Sequence, residues 1–133
     1  MAVVVPNVGE IRALEYILNK VPSTGALSVR LYSNDITIDE ATVDTDFTEV
    51  SGGGYSAKLL TGANWDITPS DPSEAVYNQE LIFDFTGSVG LVYGYYVTHS
   101  DGTLMWAERF TTGPFDVQVA GSQIRINLRF TAE

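Results

Sequence analysis

The sequence predicts a mostly β domain, an antiparallel β-sandwich of jelly-roll type carrying one short N-terminal helix. Three observations carry this reading. Short runs alternate apolar and polar residues with period two, Gly, Pro and Asp turn signals separate those runs, and a helical period occurs only once, near the start. Eight or nine such strands within 133 residues fit a sandwich or barrel, and the length suits a single domain.

Residues 1–7 read as an extended arm. Val3-Val4-Val5 favours β geometry, and Pro6 disfavours a helical residue before it. A short helix follows over residues 8–20. Val8, Ile11, Leu14, Tyr16, Ile17 and Leu18 supply its apolar side, Glu10, Arg12, Glu15 and Asn19 its polar side, and Pro22 stops it. Asn7 and Glu10 have the spacing of a capping box. The apolar side of this helix is expected to pack on the chain's own sheet.

The β-sandwich domain is expected over 26–133. Leu27, Val29 and Leu31 alternate with Ser28, Arg30 and Tyr32 in its first strand. The acidic, Thr-rich stretch Asn34–Val50 reads as a long loop or edge strand anchored by Phe47 and Val50. Ser51-Gly52-Gly53-Gly54 breaks the chain before a strand at Tyr55–Leu60, and a short one follows at Trp65–Ile67. After the Pro69–Pro72 loop come Ala75–Tyr77 and Leu81–Phe85. Leu91–Thr98 and Thr103–Phe110 flank Asp101-Gly102, a strong hairpin signal. Phe115–Val119 and Gln123–Phe130 complete the set. In the last run Ile124, Ile126, Leu128 and Phe130 face one way, and Arg125, Asn127 and Arg129 the other.

Composition narrows the chemistry. The absence of cysteine excludes disulfides, thiolate metal sites and cysteine nucleophiles. Seven basic against seventeen acidic residues give a formal net charge of −10, so nucleic acid and anionic membranes are poor partners. The first residues lack a basic stretch, and their apolar run is too short for a signal peptide.

No catalytic residue, metal ligand or cofactor is expected. His99-Ser100-Asp101 places three triad residue types side by side, whereas triads join residues distant in sequence; the reading is a hairpin turn. Asp44-Thr45-Asp46 lacks the further positions of a calcium loop, so residues 35–49 read as a solvated loop or partner surface, with weak cation binding left open. The thirteen Tyr and Phe residues, with Trp65 and Trp106, read as core more than as a sugar platform. Tyr96 points opposite to Tyr93 and Tyr95 and is expected to be presented outward. Arg125 and Arg129 are expected to pair with an acidic patch on a second subunit. Together with Val3, Val4 and Val5 these form the candidate partner-binding set.

Several segments resemble a family of small structural proteins of tailed bacteriophages. They are Val5-Pro6-Asn7-Val8-Gly9-Glu10, Leu31-Tyr32-Ser33-Asn34-Asp35, Gly53-Gly54-Tyr55 with Trp65, Tyr93–Thr98 and Leu104–Phe110. The resemblance implies a jelly-roll cement or decoration protein on the capsid surface of a virion assembled in the host cytoplasm. It also implies the major capsid protein and further copies of the chain, as dimer or trimer, for partners. A tail or fibre module that binds a host receptor or glycan is the alternative. Residues 1–6 would then be an arm whose deletion leaves the domain folded and weakens assembly.

Overall fold

The computed structural model describes residues 3–132; Met1, Ala2 and Glu133, the ends of the expected arm and domain, lie outside the described residues. The protein is mostly β and antiparallel, with one N-terminal helix, and its sheets form a sandwich-like arrangement that does not close.

The alternating run Leu27–Tyr32 becomes strand β1 and lies inside a four-stranded sheet. One neighbour is β2 (Lys58–Leu60) and the other is β7 (Gly94–His99), which in turn pairs with β8 (Leu104–Arg109). The Asp-Gly signal forms the turn between β7 and β8, with Gly102 at φ +91°, a conformation that favours glycine. Residues 55–57 of the expected second strand stay outside it.

The opposing layer is built around β4 (Ser73–Tyr77) and β5 (Leu81–Asp84). Strand β3 (Trp65–Thr68) flanks β4 on one side. On the other side β11 (Arg129–Ala132) pairs with β4, and β10 (Gln123–Ile126) pairs with β5. The expected single strand Gln123–Phe130 is thus two strands that pair in succession with two partners. Strand β6 (Gly90–Val92) pairs with β9 (Phe115–Val117).

One core joins the layers. Val29, Leu31, Tyr95, Val97 and Trp106 from the first sheet meet Tyr77, Leu81, Phe83, Ile124 and Ile126 from the second. Trp65 packs edge-on to Tyr77, and Trp106 lies 5.2 Å from Phe130, ring centre to ring centre. Most of the aromatic side chains are therefore core and cross-strand partners, as period-two patterning requires.

The first sheet is also covered on its other face. Tyr32, Phe47, Tyr96, Leu104 and Ala107 form a second apolar cluster there, flanked by Val8, Ile36 and Ile38. Phe47 stacks on Tyr96 at 4.3 Å and 5° and packs against Tyr32 at 4.9 Å. The segment 33–50 is thus a strap across the sheet, tied at its end by Val50 N–H donating to the Leu31 carbonyl.

Helix α1 (Asn7–Ile17) begins one residue earlier than expected. Pro6, not Asn7, occupies the N-cap position, and no side chain caps it. The end is a Schellman turn: Lys20 N–H donates to Glu15 O, Asn19 N–H donates to Tyr16 O, and Asn19 takes φ +56°. Chain reversal is therefore complete before Pro22.

The expectation for the packed side of α1 is overturned. Gly9 is the buried residue of the helix, and Val8 and Tyr16 are half-buried. Ile11, Leu14, Ile17 and Leu18 are 55, 57, 79 and 67% exposed. Gly9 explains this. A Cβ there would lie 2.2 Å from the Met105 carbonyl oxygen, so only a glycine lets α1 seat this closely on β8. Close backbone approach, rather than apolar side chains, selects the packed side.

Candidate functional site

Two sheet edges face an open seam. One is β8, the outer strand of the first sheet; the other is the β10–β11 run, outermost in its layer. Phe85 N–H donates to Ser122 O, and Tyr77 N–H donates to Leu128 O. In an antiparallel ladder these bonds alternate, so the even-numbered residues of 122–132 bond toward β4 and β5. Gln123, Arg125, Arg129 and Thr131 therefore direct their N–H and C=O groups outward, and among the described residues no protein group bonds to them.

A continuous groove follows the seam. Its first part, about 450 Å³, lies between Val3 and Val5 on one side and Arg129, Phe130 and Thr131 on the other. Glu108 and Asn127 line it and also line the next part, which reaches Phe110, Phe115 and Arg125. Phe115 and Arg125 continue into a third part beside Val117 and Ile124. Four of the sequence-nominated residues, Val3, Val5, Arg125 and Arg129, thus come together although more than a hundred positions separate them.

The N-terminal residues are not a free arm. Val4 N–H donates to the Ala107 carbonyl at 2.9 Å, and Ala107 N–H donates back to Val4 at 3.0 Å, so Val4 extends the first sheet past β8. Val3 and Val5 pack against the main core, and Pro6 is fully buried. The segment is folded structure because β8 had an open edge and a β-branched run was next to it.

Arg125 and Arg129 lie on one outer face, as the alternation predicts, but their acids come from the same chain. Arg125 meets Glu80 at 3.0 Å and Arg129 meets Glu74 at 3.3 Å. Both pairs are well exposed, so each contributes ~1 kcal/mol or less. Glu108 sits at the lip of the groove and accepts the Tyr95 hydroxyl at 2.9 Å. Burial, reinforced by that carboxylate, pushes the Tyr95 phenol up, so it remains a donor.

Tyr96 is corrected. It does point opposite to Tyr95, yet the strap buries it to 5% exposure under Phe47. Burial, then Glu49, pushes its phenol up to about 12. Neither Tyr95 nor Tyr96 is presented to a partner, and Tyr93 lies beneath the Arg109 guanidinium at 5.0 Å.

The hairpin triplet has turn geometry. His99 Nε2 meets the Thr24 carbonyl at 2.6 Å, while Ser100 Oγ and Asp101 Oδ1 both approach Nδ1, at 3.5 and 3.2 Å. A relay needs serine and carboxylate on opposite ring nitrogens, so this set cannot run one. Asp101 instead accepts the Thr103 N–H and holds Arg12 at 2.6 Å, pinning α1 to the hairpin. In the acidic segment, Asp46 accepts the Val43 N–H and Glu49 pairs with Arg30 at 3.0 Å. Among the described residues no group of three His, Cys, Asp or Glu is placed to hold a metal ion.

Sequence reasoning missed two features. The open backbone edge has no signature beyond its position as the last strand. The outward side of α1 was hidden because its apolar residues look like core. Comparison with protein-family models, curated proteins and solved structures finds no match to the chain.

Proposed function

We propose that the chain is a non-enzymatic virion structural protein of a tailed phage, a cement protein that binds and stabilises the major capsid shell. The observation that carries the reading is the open β10–β11 edge with its groove. Such an edge takes an extended segment by backbone pairing, and alternate pockets beside it read the side chains. The segmental resemblance to phage structural proteins supports the identity of the partner.

The charges on this edge favour a foreign strand over a copy of the same one. Antiparallel self-pairing centred on Asn127 would set Arg125 opposite the second copy's Arg129, and like charges directly opposed are destabilising. A capsid segment carrying carboxylates at alternate positions would meet both arginines.

Cryo-electron microscopy of parent particles with and without this protein tests the reading. The expected result is density at regular positions over the head, with a capsid strand continuing the β10–β11 ladder. Density only at the tail would overturn it in favour of a tail or fibre module. A second arm uses Thr131→Pro, which removes an outward N–H while sparing the ladder to β4. This variant should keep its thermal midpoint within a few degrees and lose shell occupancy.

A further inference from the structure

The alternation that sends Val29, Leu31 and Val97 into the main core turns Ser28, Arg30, Tyr96 and Thr98 to the other face of the first sheet. There Ser28 stands opposite Thr98, and Arg30 opposite Tyr96. Between the strap and the β7–β8 turn, these four side chains line a pocket of about 240 Å³, with Asp44 and Glu49 of the strap. Sites for drug-sized molecules run to roughly 300–1,000 Å³, so this one suits a small group.

Most of its polar groups are already engaged. Arg30 Nη1 donates to both oxygens of Glu49, at 3.1 and 3.0 Å, and Nε donates to Thr98 at 3.1 Å. Glu49 also accepts the Tyr55 hydroxyl. His99, on the rim, has Nε2 on the Thr24 carbonyl and Nδ1 facing Asp101. Asp44 and Tyr96 are the exceptions. The Asp44 carboxylate is half-buried and Tyr96 is 5% exposed, yet among the described residues neither polar group has a hydrogen-bond or ion-pair partner. The charges acting on the Tyr96 phenol are those of Glu49, Arg30 and Asp44, so its hydroxyl lies among the pocket residues. A polar group on a residue buried this far ordinarily has a partner, and here the vacant side is the pocket.

The sign of the pocket selects the ligand. One guanidinium stands against two carboxylates, so an anion is repelled and a neutral group leaves the Asp44 charge unmet. Burial, then Glu49, pushes the Tyr96 phenol up, so its oxygen keeps its proton and can still accept through a lone pair. We propose that the pocket binds a primary ammonium group, which donates to the Asp44 carboxylate and to the hydroxyl oxygens of Tyr96 and Ser28. Three N–H donors then meet three acceptors that the sheet and the strap bring together. Such a group is carried by a small free amine or by the tip of a lysine side chain.

The pocket shares no residue with the groove at the β10–β11 edge, so failure of shell binding leaves this proposal intact, and the converse holds. The test is an amide-resolved NMR titration of the full chain with ethylammonium and with Nα-acetyl-lysine methylamide. Tetramethylammonium, a cation without N–H donors, is the control. Saturable shifts are expected at Asp44, Tyr96 and Thr98 with the primary amines and not with the control. Asp44→Asn and Tyr96→Phe should each weaken binding roughly tenfold, since each removes a partner of a charged group. Both variants should keep the thermal midpoint within a few degrees, because neither polar group has a partner in the folded chain. Tighter binding of the lysine amide would support the proposal with a side chain as the source, and tighter binding of ethylammonium would support it with a free amine. No saturable shift with either amine, equal shifts with tetramethylammonium, or binding indifferent to Asp44→Asn or to Tyr96→Phe would each overturn it.

Discussion

Replacing Gly9 by alanine sets two effects of known size against each other. In an exposed helix interior Gly→Ala stabilises by about 1 kcal/mol through backbone entropy. At Gly9 the added Cβ would sit 2.2 Å from the Met105 carbonyl oxygen and 3.0 Å from that of Leu104. Both are backbone atoms of β8 and its neighbourhood and cannot swing aside. Ordinary contact needs roughly 1 Å more, so α1 must lift along its length. Overpacking of this kind costs about 1–3 kcal/mol. Lifting also loosens Arg12 from Asp101 and Val8 from the second apolar cluster. The clash should win, for a net loss of about 1–2 kcal/mol. For a chain of 133 residues, 1 kcal/mol moves the thermal midpoint by about 3–4 °C, giving a fall of about 3–8 °C by calorimetry. A rise of 3 °C or more would refute the reasoning. It would mean that position 9 faces water, that α1 is rolled the other way, and that Ile11 and Leu14 are core.

Other substitutions probe the remaining features. Leu14→Ala should change monomer stability by less than ~0.5 kcal/mol, against ~2–5 kcal/mol at a buried site, by denaturant titration. Phe47→Ala removes the ring that stacks on Tyr96 and packs on Tyr32, and should cost about 3 kcal/mol or more, a midpoint fall near 10 °C. Deleting residues 3–5 should cost about 2–4 kcal/mol, because Val3 and Val5 pack on the core and Val4 completes a sheet edge. The Thr103 N–H, with Arg12, holds the Asp101 carboxyl well below the usual carboxylate range. The unfolded chain then binds more protons than the folded one over the acid range. This stabilisation is present above the ordinary carboxylate pKa and is lost as pH falls through the depressed value. Midpoints measured from pH 6 down to pH 2 should therefore fall less steeply for Asp101→Asn than for wild type.

The strands were legible where one side of a run met the core and the other met solvent. The terminal run is of this kind, with Ile124, Ile126 and Leu128 inward. In Leu27–Tyr32 the alternation picks out Val29 and Leu31 but not Tyr32, which the strap buries on the other side. The Asp-Gly turn was legible because backbone sterics at Gly102 are local. Exposure of Tyr96 was not legible, since its fate depends on a strap from residues 33–50 folding over the sheet. Phe47 and Val50 identified the anchors of that strap, but nothing local says which face they cover. The seam is harder still. Val3 and Arg129 share a groove only because β8 and β10–β11 are both outermost, and strand order is a global property. In α1 a periodic apolar pattern normally marks the buried face, and here a single glycine decided otherwise.

The ladder joining β10–β11 to β4 and β5 has a mechanical consequence. A segment laid along its free edge and pulled along its own axis would load the cross-strand bonds together, in shear. Pulled perpendicular to the sheet edge, the same bonds would open one after another, as a zipper does. The two arginine pairs, Arg125 to Glu80 and Arg129 to Glu74, tie weakly across this ladder on either side of the junction between β10 and β11. The edge is therefore built to hold tension directed along the strand, and an attached surface would be gripped firmly in one direction and released easily in the other.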